Sequence, residues 1–231
     1  LATGCLPRLT RSPATTPSTG SIHSAGSANG TDSSGSSVRA TEPTPLRVAT
    51  SGDYAPFSVW PAGDDEPHGF SIDVARAYAR DRGRPIEWVR FRWPELAADL
   101  EAGRFDLALS GVTIRPDRSL AGRFSLPLTV TGAVALVRAD ARLRSPADLD
   151  DPTVRIAVNR GGHLEAVARR LFPHARVEAV PDNAAVPGWL ATDRADAVVS
   201  DDLEAPHWRS TLPPTRVLGP FTRDRKAAWL P

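Results

Sequence analysis

The sequence of 231 residues contains no methionine, one cysteine and one lysine. The single cysteine, Cys5, excludes a disulfide within the chain. Because arginine supplies every other side-chain cation, Lys226 is the one candidate for covalent lysine chemistry. The chain has no run of about 18 apolar residues, which excludes a membrane-spanning helix. The lack of methionine leads us to expect a natural start upstream of Leu1.

The net charge is only +1, so no strong basic field points to nucleic acid as a partner. The five histidines and the cysteine lack metal-ligand spacing. The pair Gly161-Gly162 lacks the glycine spacing of dinucleotide and phosphate loops. We therefore predict neither a metal nor an organic cofactor.

The N-terminal part predicts export rather than a folded domain. Residues 1–5 read LATGC, which is similar to the end of a lipoprotein signal peptide, with Cys5 as the lipidated residue. The alternative is a stray cysteine in a disordered tail. Residues 6–45 are rich in Ser, Thr, Gly and Pro, which predicts a disordered linker. Contact with a membrane is expected only through the lipid anchor.

From Leu46 onward, strand and helix patterns alternate. Alternation predicts an α/β fold whose sheets are largely parallel, with helices on both faces. The predicted strands are 46–50, 86–91, 105–109, 133–137, 154–158, 175–180 and 195–199. The predicted helices are 70–82, 94–102, 145–149, 164–171 and 184–191. Ligands of such sheets bind beyond the carboxyl ends of the strands, which here directs attention to the loops 52–58, 110–118, 159–165 and 200–204.

Four segments at these positions carry a family resemblance. LRVATSGDYAPFS, GFSIDVARAYARDRG, WPELAADLEAGRFDLALSGVTIRPDR and FSLPL occur in the order and spacing of the family 3 extracytoplasmic amino-acid-binding proteins of ABC importers. The resemblance covers residues 46–231. It implies a type II periplasmic-binding-protein fold, with lobe 1 at 46–133, lobe 2 at 134–214 and a return to lobe 1 at 215–231. The family continues with further C-terminal helices, so we expect either that this sequence is a fragment or that the protein lacks them.

The same resemblance implies which side chains bind the ligand. Arg118 would hold the ligand carboxylate through a two-pronged pair, assisted by Gly111 and Thr113. Asp201 would receive the α-amino group, although an Asp after a strand can equally be a helix cap. Two aromatic residues, Tyr54 and Trp93, match positions that wall the pocket, and their alternative role is core packing.

Within the superfamily, the motifs NxGGxxE, PDN, ADxxxSDxxEA and KAxxLP resemble periplasmic cyclohexadienyl dehydratase. That resemblance implies a carbon–oxygen lyase acting on prephenate or arogenate, with Glu165 as general acid and no cofactor. His163-Leu164 stands where the enzyme has Thr-Asn, so His163 is a further candidate ligand contact. Lys226 matches a lysine of the enzyme. The alternative for Glu165 is a carboxylate favoured at a helix start, in a non-catalytic receptor that delivers an amino acid to an ABC permease.

Overall fold

The computed structural model describes residues 43–231, and the predicted anchor at Cys5 lies outside them. The strands of the first half are β1 Leu46–Thr50, β2 Asp53–Tyr54, β3 Ser58–Val59, β4 Ile86–Arg90, β5 Leu107–Ala108, β6 Arg123–Phe124 and β7 Thr129–Thr131. Its helices are α1 Phe70–Asp81, α2 Leu96–Glu101 and α3 Pro116–Ala121.

The second half continues with strands β8 Ala133–Arg138, β9 Arg155–Asn159, β10 Arg176–Val180, β11 Ala197–Asp201, β12 Thr215–Leu218, β13 Asp224–Lys226 and β14 Trp229–Leu230. Its helices are α4 His163–Leu171, α5 Val186–Ala191 and α6 Ala205–Arg209. Short 3₁₀ turns precede α2 and α5 and follow β8.

The first lobe is built on a five-stranded sheet in the order β4-β1-β5-β14-β6. Strands β4 and β5 run parallel to β1, whereas β14 returns antiparallel to β5 and β6. Helix α1 packs its apolar stripe, which includes Ala75 and Ala79, against Leu46 and Val48 of β1. This helical spacing buries side chains on one face of the helix. Each large apolar side chain that is fully buried stabilises the fold by about 1.5–3 kcal/mol. The helix and β1 therefore form where the periodicity of the sequence predicts them.

The second lobe has a sheet in the order β10-β9-β11-β8-β12. Strands β10, β9 and β11 run parallel and are connected through α4 and α5. Strand β8 is antiparallel to both β11 and β12. Both sheets are therefore mixed, because the strands without an intervening long helix run in the opposite direction.

A short two-stranded ribbon joins the lobes. Strand β7 leads directly into β8, and it pairs antiparallel with β13, which leads back to the first lobe. The resemblance places that return at residue 215, but β12 is hydrogen-bonded to β8 in the second sheet, with Thr215 opposite Arg138. The return therefore begins after Leu218. This ribbon matters for the site because Lys226 is the last residue of β13.

Candidate functional site

A cleft of about 360 Å³, part of which is open solvent, lies between the lobes. Both lobes and the connecting ribbon contribute side chains to it. The lining residues are Tyr54, Trp93, Gly111, Thr113, Arg118, Asn159, Gly162, His163, Leu164, Asn183, Glu204 and Lys226. Six of the residues predicted from the sequence are therefore brought together, and two others, Asp201 and Glu165, are not among the lining residues.

Arg118 is a buried cation that has no acidic partner among the described residues. The residue is 7% exposed, and its Nη1 atom donates to the backbone oxygen of Thr113 at 3.1 Å. It forms no ion pair with any residue of 43–231, since nearby Asp117 is paired with Arg115. Burial, and then the neighbouring Arg115, lowers the pKa of Arg118 to about 10, so the guanidinium is charged at neutral pH. A buried, unpaired guanidinium facing a cleft is suited to an anionic ligand.

Arg118 lies on helix α3, where the sequence reading expected a loop. The helix begins at Pro116, because proline fits the first helical position, and ends before Gly122. Its six residues are too few for a periodic pattern. The short helix directs Arg118 inward and leaves Arg115 outside with Asp117.

Gly111 and Thr113 form the floor of the cleft beside Arg118. Gly111 has φ +64°, and a Cβ atom there would lie 2.8 Å from Cγ of Phe57. Only glycine meets both conditions without strain. Thr113 is 3% exposed, and its hydroxyl accepts from Lys226 Nζ at 3.3 Å.

Tyr54 and Trp93 form an aromatic wall that belongs to both the core and the cleft. Their rings meet edge to face, with centroids 5.7 Å apart. The indole N–H of Trp93 donates to Asp53 at 3.2 Å. Burial and then the nearby Asp201 raise the pKa of Tyr54 well above its ordinary value, so the phenol keeps its proton. The two predicted alternatives, packing and ligand contact, are thus compatible.

Lys226 and Asp201 form a buried ion pair behind this wall. The Nζ atom of Lys226 lies 3.2 Å from Oδ2 of Asp201, and the two side chains are 4% and 0% exposed. Lys226 also donates to the phenol of Tyr54 at 2.8 Å, while that phenol donates to Oδ2 of Asp201. The other oxygen of Asp201 accepts from the backbone amides of Leu203 and Glu204.

The ion pair has a direct consequence for the charge of the cleft. Every oxygen of Asp201 is occupied by protein donors, and its cation is supplied by Lys226. Asp201 is therefore not placed to receive a ligand ammonium while Lys226 is present. Because Lys226 neutralises Asp201, the uncompensated charge at the cleft is that of Arg118.

His163 connects the second lobe to the ribbon. Its Nε2 atom lies 2.9 Å from Oδ1 of Asp224, although the contact lacks the direction of a hydrogen bond. Burial alone would raise the pKa of Asp224, but the close ring of His163 and the hydrogen bond from Thr222 outweigh it and lower that pKa. The ring of His163 also lines the cleft.

Glu165 points along its own helix rather than into the cleft. Its Oε2 atom accepts from the backbone amide of Gly161 at 2.8 Å, and Oε1 pairs with Arg169 at 2.9 Å. This is the arrangement of a helix-start carboxylate, with a backbone donor on one side and an i,i+4 arginine on the other. The structure therefore does not bring Glu165 to the remaining predicted site residues.

Glu204 is the acidic residue that does line the cleft, and the sequence reading did not single it out. It is 1% exposed. Its Oε1 atom accepts from Asn183 Nδ2 at 2.7 Å, and Oε2 accepts from the hydroxyl of Ser200 at 2.7 Å. Burial, and to a smaller extent the charge of Asp201, raises the pKa of Glu204 well above its ordinary value. The available signal was its place three residues after Asp201, within a loop at a strand end.

Two lobes meet directly at the back of the cleft. The side chain of Asn183, in the second lobe, donates to the backbone oxygen of Asp53 in the first lobe at 2.8 Å. On the facing side, Gly161 has φ +72°, and a Cβ atom there would lie 2.6 Å from Cα of Pro94. Together with the bond between Tyr54 and Asp201, these contacts bring the lobes together around the cleft.

Within residues 43–231, no group of three or more His, Cys, Asp or Glu side chains is arranged to hold a metal ion. None of the helices in that part of the chain is long and apolar enough to cross a membrane.

Comparison with known proteins connects this geometry to a family. Residues 46–167 match the sequence model of the bacterial extracellular solute-binding proteins, family 3. Cyclohexadienyl dehydratase of Pseudomonas aeruginosa is 35% identical over 69% of this chain and 60% of its own length. The L-cystine-binding protein TcyJ of Escherichia coli (strain K12) is 29% identical over the same shares. The matched part of the chain thus spans about 60% of the length of these relatives.

A solved structure gives the same picture. The crystal structure of an ancestral amino-acid-binding protein, described as a precursor of cyclohexadienyl dehydratase, has a TM-score of 0.75 and 33% sequence identity. The match covers 81% of each chain. This likeness, with the two mixed sheets, confirms the predicted type II periplasmic-binding-protein fold.

Proposed function

The chain belongs to family 3 of the bacterial extracellular solute-binding proteins, and on this premise we propose that it binds a small carboxylate and acts as a cyclohexadienyl dehydratase. The proposed substrate is prephenate, used in preference to arogenate. The reaction requires no cofactor. We also propose that the protein is exported to the cell envelope, with Cys5 as its lipid anchor.

The observation that supports this proposal is the ion pair between Lys226 and Asp201. A receptor for α-amino acids needs an unpaired acceptor for the ligand ammonium, since an unpaired charge is costly to bury. Here Lys226 already occupies that acceptor, at 3.2 Å. Arg118 remains as a buried cation for a carboxylate. A 2-oxo acid such as prephenate has a carboxylate for Arg118 and needs no ammonium acceptor. Arogenate, by contrast, brings a second ammonium close to Lys226.

The reaction consumes one proton and yields three products. The ring carbon–oxygen bond of prephenate breaks, and its electron pair leaves with the hydroxyl, which is protonated to water. The bond between the ring and its carboxylate also breaks, and that electron pair completes the aromatic ring as CO₂ leaves. Prephenate dianion and one proton thus give phenylpyruvate anion, CO₂ and water. Arg118 would hold the side-chain carboxylate, which the product retains, and so position the ring.

A second candidate is a non-catalytic receptor that delivers an amino acid to an ABC permease. It is favoured by relatives whose names state amino-acid binding, such as the L-cystine-binding protein of Escherichia coli. The proposed lipid anchor would also suit a receptor held near a permease. In this reading, the ligand ammonium would have to displace Lys226 from Asp201 when the lobes close.

Turnover distinguishes the two candidates. The purified chain is mixed with prephenate, and separately with arogenate, at neutral pH, and the formation of phenylpyruvate or phenylalanine is followed. If phenylpyruvate forms from prephenate faster than phenylalanine forms from arogenate, and if this turnover is lost in Arg118→Ala, the dehydratase is supported. A folded protein that binds amino acids but forms neither product contradicts it and supports the receptor.

A further inference from the structure

We propose a second activity for the cleft: His163, oriented by Asp224, removes a proton from C3 of a bound 2-oxo acid and so forms its enolate. The hydrogens on the carbon beside an oxo group are weakly acidic, and a positioned base can remove them. This activity rests on the proposed function only for the binding of a 2-oxo acid such as phenylpyruvate. The dehydration itself leaves the pair unused, because it needs a proton donor and no base.

His163 and Asp224 form a largely buried imidazole–carboxylate pair at the edge of the cleft. Nε2 of His163 lies 2.9 Å from Oδ1 of Asp224, and the two side chains are 17% and 12% exposed. The hydroxyl of Thr222 donates to the other oxygen, Oδ2, at 2.5 Å. One oxygen of the carboxylate is thus held by Thr222, and the other faces the imidazole.

Asp224 decides which nitrogen of His163 carries the proton. Burial would raise the pKa of Asp224, but the ring of His163 and the hydroxyl of Thr222 keep it below its ordinary value, so the carboxylate is ionised at neutral pH. An ionised carboxylate favours a proton on the facing Nε2, which leaves the lone pair of the neutral ring on Nδ1. The 2.9 Å contact lacks the direction of a hydrogen bond, and catalytic pairs often gain that direction only when a ligand closes the site.

Helix α4 and the ribbon bring this pair to the predicted carboxylate site. His163 is the first residue of α4, directly after Gly162, and it lines the cleft together with Arg118 and Lys226. Asp224 and Lys226 are two residues apart on β13, and alternate side chains of a strand lie on the same face. One face of the ribbon therefore presents Asp224 to the imidazole and Lys226 to the cleft.

The two cations of the cleft suit an enolate. Arg118 holds the ligand carboxylate in the proposed complex, and the 2-oxo group then lies near the ammonium of Lys226. A cation beside that oxygen stabilises the negative charge that develops as the proton leaves. The cleft thus combines a base, a carboxylate clamp and an electrophile, which is the set that proton abstraction beside a carbonyl requires.

The protons and electrons of this step balance without a cofactor. The C3–H bond of phenylpyruvate breaks, and its proton passes to Nδ1 of His163. The electron pair of that bond forms the C2=C3 double bond, while the π pair of the carbonyl moves onto the oxygen beside Lys226. The reverse step returns a proton to C3. In D₂O, the imidazolium exchanges its proton with solvent, so the reverse step delivers deuterium.

Deuterium exchange into phenylpyruvate measures the enolate directly. Saturating phenylpyruvate is incubated with the purified chain in D₂O at neutral pH, and the C3 proton signal is followed by NMR against a protein-free sample. We expect the protein to exchange one of the two C3 hydrogens, because a fixed base reaches one face of the ligand, whereas the protein-free reaction exchanges both. In His163→Gln, the protein-dependent rate should fall about 10²–10⁴-fold, the usual contribution of a general base.

A second histidine–aspartate pair provides the matched control. Nδ1 of His174 lies 2.8 Å from Oδ2 of Asp150, but this imidazole is 71% exposed and is not among the lining residues of the cleft. His174→Gln should therefore exchange phenylpyruvate at the wild-type rate.

Asp224→Asn tests the positioning role of the carboxylate. Asparagine keeps the shape of Asp224 but can present an amide donor to Nε2, which favours the wrong tautomer of His163. We expect the kcat of exchange to fall by about 10²-fold or more with little change in the affinity for phenylpyruvate, and Asp224→Glu to recover part of the rate. Equal losses of kcat and affinity would contradict the positioning role.

The outcomes separate the enolate from the dehydratase. Exchange by a wild-type protein that does not turn over prephenate supports the enolate and contradicts the dehydratase. Turnover of prephenate, with exchange no faster than in the protein-free sample, overturns the enolate alone. Exchange that survives in His163→Gln overturns the role of His163 as the base. A lost exchange that more phenylpyruvate restores also overturns it, because His163 would then be a binding residue.

Discussion

Replacing Lys226 by methionine tests the ion pair at the centre of the cleft. The variant leaves the carboxylate of Asp201, 0% exposed, without its cation and bound only to Tyr54 and two backbone amides. Removing one partner of a buried pair costs about 3–5 kcal/mol, because the remaining charge is uncompensated. For a domain of this size, 1 kcal/mol corresponds to a shift of about 2–4 °C, so the melting temperature should fall by about 6–20 °C.

The matched control is the double variant Lys226→Met with Asp201→Asn. It removes both charges and keeps a side chain that accepts from the same amides, so we expect it to regain most of the lost stability. Differential scanning calorimetry of the four proteins completes the cycle. In addition, L-phenylalanine should raise the melting temperature of Lys226→Met, since its ammonium can replace that of Lys226, and should leave the wild type nearly unchanged.

Two results would refute this reasoning. A double variant no more stable than Lys226→Met would show that the loss arises from packing of the lysine stem rather than from the charge of Asp201. A melting temperature of Lys226→Met equal to that of the wild type would show that Lys226 and Asp201 are not paired in the folded protein.

Two further variants test the carboxylate site and the closure of the lobes. Arg118→Ala should weaken phenylpyruvate binding by calorimetry about 10²–10⁴-fold, since two charge-assisted hydrogen bonds contribute about 3–6 kcal/mol; unchanged affinity would remove Arg118 from the site. Gly161→Ala should weaken ligand binding more than Gly83→Ala. Both glycines have positive φ. A Cβ atom at Gly161 would meet the backbone of the other lobe, whereas a Cβ atom at Gly83 would have no atom within 4 Å. Equal ligand affinities of the two variants would contradict the close contact between Gly161 and Pro94 in the ligand-bound protein.

For Arg118, the control is Arg115→Ala, which removes a neighbouring cation that is paired with Asp117 outside the cleft. Its affinity for phenylpyruvate should remain within a few-fold of wild type. For the glycine pair, melting curves measured without ligand separate the strain of a positive φ, common to both variants, from the interlobe contact made only at Gly161.

The sequence predicted well what depends on local patterns. Helix α1 and strand β1 have strong periodicity and lie within one residue of their predicted bounds. Strand β11 extends to Asp201, past its predicted end at 199, because it pairs with β8 along its whole length. The ribbon strands β7 and β13 have three residues each and are held by pairing with each other, about 95 residues apart in the chain, which no local pattern encodes.

The site was predicted as a set of loops, and its chemistry was predicted less well. Arg118, Thr113 and Gly111 were predicted because a motif fixes their spacing, and the structure places all three on the cleft. The ion pair between Lys226 and Asp201 could not be predicted, since the two residues meet only through the ribbon and the second sheet. Burial distinguishes Glu204 from Glu165, and burial is a property of the fold rather than of either motif.

The most direct test of the account compares phenylpyruvate with L-phenylalanine by isothermal titration calorimetry at neutral pH. The two ligands share the carboxylate and the ring and differ only in the 2-oxo group or ammonium that would lie near Lys226. The account predicts that phenylpyruvate binds more tightly by about tenfold or more, equivalent to about 1.4 kcal/mol. Tighter binding of L-phenylalanine would contradict it, and would identify the cleft as a site for amino acids.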